Sequence, residues 1–161
     1  MKALEFLSTR ASESRPQLTS PLARVSGSDF EDLSLALAKF EVRGELDRIA
    51  NEDLIRITPR RGLVVAPIAD GEAVELRLRE QVATVIDVTG ALAALRVEGS
   101  QAATLMRRLT DLDLESLPAA AAVAHVPAIV RGGGDSFELF WPQEYGHYLA
   151  RVVVDTAQGL R

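Results

Sequence analysis

Leu95-Arg96-Val97-Glu98-Gly99, in the second half of the chain, repeats the pattern of Phe40-Glu41-Val42-Arg43-Gly44 in the first. Each is an apolar residue, a charge, a valine, a charge and a glycine. That is the alternation of a half-buried strand, halted by a residue free to turn. Outward from the pair, one order recurs around both: a strand ending in Gly, a connection, a strand, a tight turn, a strand, then a helix. Asp70 to Gln81 corresponds to Pro142 to Asp155, and the first half lacks the helix that Ser100 to Thr110 supplies in the second. The chain reads as a degenerate duplication, and the predicted fold class is α+β, an antiparallel sheet with helices packed on one face.

The elements follow from local chemistry. Leu37 to Val42 and Ile55 to Thr58 are strands; Pro59 to Gly62 turns the chain, and Leu63 to Ala66 returns as a hairpin. Glu72 to Gln81 carries two periodicities, since Val74 and Leu78 are four apart while Val74, Leu76 and Leu78 also alternate with charges. Good helix formers after Gly71 favour a helix. Val85 to Val88 and Leu92 to Val97 are strands joined through Thr89-Gly90, a bulge or a turn. Ser100 is an N-cap for a helix with Ala102, Leu105, Met106 and Leu109 at helical spacing. Asp111 to Ala124 is an acidic, alanine-rich connection. Val126 to Arg131 and Phe137 to Trp141 flank a Gly132-Gly133-Gly134-Asp135 hairpin turn. Pro142 opens the last helix, which lines up Tyr145, Tyr148, Leu149, Val152 and Val153.

Residues 1–28, rich in Ser, Thr, Pro and Gly, form an N-terminal arm, and residues 29–161 form one α+β domain. The arm orders against a partner or drapes across its own domain; its composition fits both. A chain of 161 residues, 47% of them hydrophobic, buries enough surface to fold without disulfide or metal. It has no cysteine and a net charge of −5, which excludes thiolate chemistry and argues against a nucleic-acid groove. Its longest apolar run, Pro118 to Ala124, is far short of the ~20 residues that span a bilayer. Glu5 and Arg10 interrupt what would be a signal-peptide core, so the cytoplasm is expected.

Few side chains suggest chemistry. Arg131 to Asp135 has the glycines of a phosphate nest, but they lie between strands rather than before a helix. Asp111, Asp113 and Glu115 alternate, yet lack the spacing of a calcium loop. Asp87, in an apolar strand, must find a partner, face solvent or bond the Thr89 backbone. His125 and His147 have no triad or metal partner at suitable spacing. Phe137, Leu139 and Trp141 share one strand face. Phe140 points to the other, where it is exposed or covered by another protein, a candidate interface anchor. No metal-binding or catalytic residue is identified.

The order and spacing of several short motifs resemble the folate-binding module of the glycine-cleavage T-protein and its relatives, above all the gamma subunits of heterotetrameric sarcosine oxidase. Val85-Ile86-Asp87-Val88-Thr89-Gly90 and Ala94 to Ser100 resemble that family's "D-V-S-H … L-x-L-x-G" opening. Leu105 to Leu109 and Asp111-Leu112-Asp113-Leu114 are similar to its helix and "L-D-L" exit. Asp135 to Phe140 and Tyr145 to Leu149 resemble its closing "D-x-F-x-L … S-Y-A-x-Y-L", and Ser20-Pro21-Leu22 the "S-P-L" of many gamma subunits. The match is good from Val85 onward and poor before it. Thr89-Gly90 replaces the usual Ser-His, and no carboxylate stands over Val126 to Arg131, where the T-protein carries its folate-handling acids.

The resemblance implies duplicated ferredoxin-like halves and a non-catalytic accessory subunit of a heteromeric, flavin-dependent, sarcosine oxidase-like complex. Its partners would be larger flavoprotein subunits of alpha and beta type, with no nucleic acid and no membrane. FAD, FMN, NAD and tetrahydrofolate are implied for the parent complex, and no cofactor for this chain. The partner interface expected on this basis comprises Pro21, Leu22 and Phe140. The alternative is a stand-alone folate-binding or aminomethyltransferase-like protein.

Overall fold

The computed structural model describes residues 19–25, 30–49 and 54–160. Its strands are β1 (Glu31–Asp32), β2 (Leu37–Arg43), β3 (Leu54–Thr58), β4 (Arg61–Pro67), β5 (Thr84–Asp87), β6 (Leu92–Glu98), β7 (Ala119–Val123), β8 (Val126–Gly133) and β9 (Ser136–Pro142). Its helices are α1 (Gly71–Gln81), α2 (Ala102–Leu109) and α3 (Gly146–Gln158). The strands form two antiparallel sheets among the described residues, ordered β1-β6-β9-β8-β7 and β3-β4-β2-β5. The fold class is α+β as expected, but with two sheets in place of one.

Alternation along each strand decides the layers. Ala93, Leu95 and Val97 of β6 and Phe137, Leu139 and Trp141 of β9 face α2 and α3 in the largest core. Ala94 and Phe140, one residue out of phase, face the second sheet and meet Ile55, Leu63 and Val65. The far side of that sheet, with Phe40, Val42 and Val64, lies under Leu78 of α1. The result is four layers, helix, sheet, sheet and helix.

The duplication runs deeper than the five-residue pattern. Asp32 to Gly44 and Asp87 to Gly99 align position for position without a gap, with Asp, Ala, Leu, Ala, Val and Gly recurring in the same places. β2 and β6 share one burial pattern, and each runs into a glycine in the left-handed region, Gly44 at φ +131° and Gly99 at φ +120°. Backbone bonds repeat as well. Leu33 N–H donates to Ala94 O as Val88 N–H donates to Lys39 O, both at 2.9 Å. Ile68 N–H donates to Ala36 O and Gln143 N–H to Ala91 O, again both at 2.9 Å. Each half therefore takes its outer strand from the other's side of the repeat: β1 pairs with β6, and β5 with β2.

Several local expectations are corrected. Thr89-Gly90 is neither a bulge nor a hairpin turn, because β5 and β6 lie in different sheets and the turn carries the chain between them. Part of the connection after Asp111 is a strand, β7, whose alanines fit against β8. Its outer edge is capped from α2: Thr110 Oγ1 donates to Ala122 O at 2.8 Å and Ala124 N–H to Leu109 O at 2.7 Å. Ser100 makes no capping bond; α2 begins at Ala102, whose N–H donates to Gly99 O at 2.9 Å. Pro142 ends β9, and a 3-10 turn over Gln143–Tyr145 precedes α3, as Ile68–Asp70 precedes α1. Pro142 thus matches Pro67 and Gly146 matches Gly71, a tighter registration than Asp70 with Pro142. The buried face of α3 is Gly146, Leu149, Ala150, Val153 and Val154, leaving Tyr145 and Tyr148 exposed.

Candidate functional site

The two sheets exchange strands at a pair of Asp-x-Ser/Thr turns. Asp32 Oδ1 accepts from Ser34 N–H at 2.9 Å and Asp87 Oδ1 from Thr89 N–H at 2.8 Å, so each Asp closes an Asx turn. The hydroxyls reach across to the other repeat. Ala94 N–H donates to Ser34 Oγ at 3.1 Å, and Lys39 N–H donates to Thr89 Oγ1 at 2.9 Å. Asp87 is exposed and bonds the Thr89 backbone, one of the readings open from sequence.

Lys39 breaks the symmetry. It occupies the place of Ala94 in the other repeat and is fully buried. Its Nζ donates to Ser34 O at 2.7 Å and Leu37 O at 3.0 Å. Burial holds the amine down at about 8, against the attraction of Asp32 and Asp87, which favour its charge. A lowered amine is a familiar nucleophile, but one with no exposure and its donors turned to backbone carbonyls meets no substrate. Sequence reasoning missed Lys39; the available signal was a lysine where the repeat carries alanine.

Other charged groups in unusual surroundings are also committed to the fold. Arg96 bridges Glu31 and Glu138, each at 2.7 Å, and Arg131 reaches Glu138 at 2.6 Å, a ladder across β1, β6, β9 and β8. Burial pushes the Glu138 carboxyl up, but Arg96 and Arg131 together overcome it and hold the group below the usual glutamate range. The Arg131 guanidinium also lies 5.5 Å from the Phe140 ring centre. Arg61, with Arg43 beside it, likewise holds Glu41 low. Asp113 caps a 3-10 turn, accepting from Glu115 N–H at 3.1 Å and Ser116 Oγ at 2.6 Å, and does not converge with Asp111 on a ligand. Among the described residues no group of His, Asp and Glu is placed to hold a metal, and no helix is long and apolar enough to cross a membrane.

The expected interface residues do not form one exposed patch. Phe140 is 1% exposed, buried between the sheets of its own chain, so it is not an exposed anchor. The strand face opposite the helices is covered from within. Leu22, also 1% exposed, enters the core under α3. Pro21 lies against Gly146, where a Cβ would stand 2.8 Å from the Pro21 Cβ. Residues 19–25 thus drape on their own domain, tied down by the Ser20 hydroxyl to Asp32 Oδ2 and by Leu22 N–H to Ser20 Oγ at 3.0 Å. Residues 1–18 and 26–28 of the expected arm lie outside the described residues.

The described residues leave openings between their elements. One, about 500 Å³, lies between the sheets and is lined by Ile57, Leu92, Ile129, Phe140 and Pro142, with Arg61 and His125 as polar members. His125 sits there in the β7–β8 turn at φ +67°. Two others, about 460 and 320 Å³, flank the segment 19–25 along α3 and share Arg24 and His147. The glycines at 132–134 form the hairpin expected of them.

No family model matches the sequence, and no curated protein matches it. Solved structures do. A chain of heterotetrameric sarcosine oxidase from Corynebacterium sp. U-96, in complex with pyrrole 2-carboxylate, matches at TM-score 0.70 and 14% identity, over 88% of this chain and 95% of that one. The two share one fold. Glycine cleavage system aminomethyltransferase T from Bartonella henselae follows at TM-score 0.60 and 16% identity, over 80% of this chain. The chain spans about half of that protein, 46%. A chain from a structure of aspartokinase alpha and beta subunits matches at TM-score 0.51 and 13% identity, over 83% of this chain and 99% of that one. The duplicated, ferredoxin-like α+β architecture implied by the sequence resemblance is therefore the architecture present.

Proposed function

We propose that this chain is a small, non-catalytic subunit that supports assembly of a heteromeric, flavin-dependent oxidase of the sarcosine oxidase type. The observation that carries the reading is coverage in both directions, 88% of this chain and 95% of the sarcosine oxidase chain. The matched chain is thus a polypeptide of about this size, whereas the aminomethyltransferase is matched over less than half its length. The internal chemistry supports it. Lys39, Glu41 and Glu138, the groups most perturbed by burial or charge, are all engaged within the fold. The folate-handling acids expected from the T-protein have no counterpart on β8, which runs Val-Pro-Ala-Ile-Val-Arg-Gly-Gly.

The test is affinity purification through a tag on this chain from its native host. Two larger chains and a flavin spectrum in the eluate are expected, and deleting this chain should leave those subunits unable to assemble. A complex that assembles and turns over normally without it would overturn the reading. The likeness to the aminomethyltransferase favours a second reading, a stand-alone folate-binding protein. That reading requires saturable tetrahydrofolate binding by the isolated chain in a calorimetric titration.

A further inference from the structure

Most of the described arginines with a defined environment have a carboxylate partner: Arg43 and Arg61 share Glu41, Arg56 has Asp47, Arg79 has Glu75, and Arg96 and Arg131 share Glu138. Like Arg60 and Arg107, Arg24 and Arg151 do not. Among the described residues neither makes an ion pair or a side-chain hydrogen bond, and nor does His147. All three line the opening of about 320 Å³ between the segment 19–25 and α3, and all three are exposed.

Their placement is built. The turn Pro21–Arg24 is closed by Ala23 N–H to Ser20 O at 3.1 Å and Val25 N–H to Leu22 O at 2.8 Å. Leu22 is locked in the core on one side of that turn, which leaves Arg24 outside. His147 and Arg151 are one helical turn apart, so they stand above one another on α3. The acidic residues nearby are Asp155, one turn beyond Arg151 on the same opening, and Glu144, on the adjoining opening of about 460 Å³. Two guanidinium groups and an imidazole thus face one carboxylate, in a chain whose net charge is −5. Unpaired arginine forks in a groove are suited to carboxylates from outside.

We propose that this groove is the docking site for an acidic segment of a partner polypeptide, one of whose carboxylates enters between Arg24 and Arg151. The inference rests on the subunit reading above and names the surface that reading left open. The segment 19–25 still serves the interface, but through Arg24 rather than Leu22.

The test has two arms. In the first, an acetylated, amidated hexaglutamate peptide is titrated into the full chain and the ring protons of His147 and His125 are followed by NMR. His147 should shift saturably while His125, at the β7–β8 turn, stays still. The Arg24→Gln/Arg151→Gln double variant should weaken binding by about tenfold or more, and so should raised salt. Arg60→Gln, on the β3–β4 turn, should change nothing. No shift at His147, an unchanged affinity in the double variant, or inorganic phosphate binding as tightly as the peptide would overturn the proposal, the last by making it a free-anion site.

In the second arm, the tagged wild-type and double-variant chains are compared for recovery of the larger subunits. Recovery with the wild type and loss with the double variant support the groove. Equal recovery with both overturns the groove and leaves the subunit reading standing. No recovery even with the wild type overturns the subunit reading, and the peptide titration then decides the groove alone.

Discussion

Asp32 and Asp87 are equivalent residues about the strand exchange. Each closes an Asx turn onto the N–H two residues ahead, at 2.9 and 2.8 Å, and each turn sends a hydroxyl across to the other repeat. The two halves are thereby joined through matched polar turns as well as through the exchanged strands β1 and β5. That is why neither half is a self-sufficient unit: β1 would lose β6, and β5 would lose β2.

The hydroxyls should not contribute equally. Ser34 is 1% exposed and its Oγ both accepts from Ala94 N–H and donates to Ala94 O, whereas Thr89 is only partly buried. Ser34→Ala should cost about 1–2 kcal/mol and Thr89→Ala about 1 kcal/mol or less, because the desolvated groups left behind are more deeply buried in the first case. Urea denaturation of the two variants measures this, and the reverse order would refute the argument from burial.

Lys39 gives a dependence on pH. Its amine sits at about 8 in the native protein against an ordinary 10.5, so over that window the unfolded chain holds a proton the native chain has released. Stability therefore rises with pH between the two values, by on the order of 3 kcal/mol at most, and the penalty is constant below the lower one. Lys39→Met should remove this slope and be as stable as wild type, or more so, at neutral pH. Unfolding curves from pH 7 to 10 decide it; a slope that persists in the variant belongs to another group.

Phe140 separates an interface role from a core role. With the ring buried against Leu63, Val65 and Ala94, Phe140→Ala should destabilise the isolated chain by about 3–5 kcal/mol. An anchor for a partner would leave the stability of the isolated chain untouched. Thermal or denaturant unfolding of the monomer distinguishes them.

Gly146 controls the segment 19–25. A methyl there would stand 2.8 Å from the Pro21 Cβ and 3.1 Å from its carbonyl oxygen, which the backbone cannot easily relieve. Gly146→Ala should cost about 1–3 kcal/mol through overpacking. The amides of Ala23 and Val25, held to Ser20 O and Leu22 O, should exchange faster with solvent. Unchanged exchange at both would mean the segment is held elsewhere.

Much of this was legible in the residues alone. Alternation in Leu37 to Val42 and Leu92 to Val97, and the helix-forming run before Gln81, specify their elements because side-chain period follows backbone geometry directly. The duplication was visible in five residues, and among the described residues of the first-half connection there is a 3-10 turn at Leu46–Arg48. The alanines of β7 gave no strand signal, since alanine favours helix and the strand exists through its pairing with β8. Candidate sites fared differently. His147 stands in the groove, while Arg24 and Arg151 look like any surface arginines in the sequence and only the fold brings them to one opening.

By itself, then, the sequence determined most of the elements and the α+β class, which depend on neighbours a few residues away, and showed the repeat. Only the tertiary structure decided that Thr89-Gly90 crosses between sheets, that Phe140 is covered by its own chain, that Lys39 is buried at the exchange and that Arg24 and Arg151 line one opening. Those depend on which distant strands pair. The free energy of pairing is set by the faces two halves bury against each other, a property that no single stretch of residues carries.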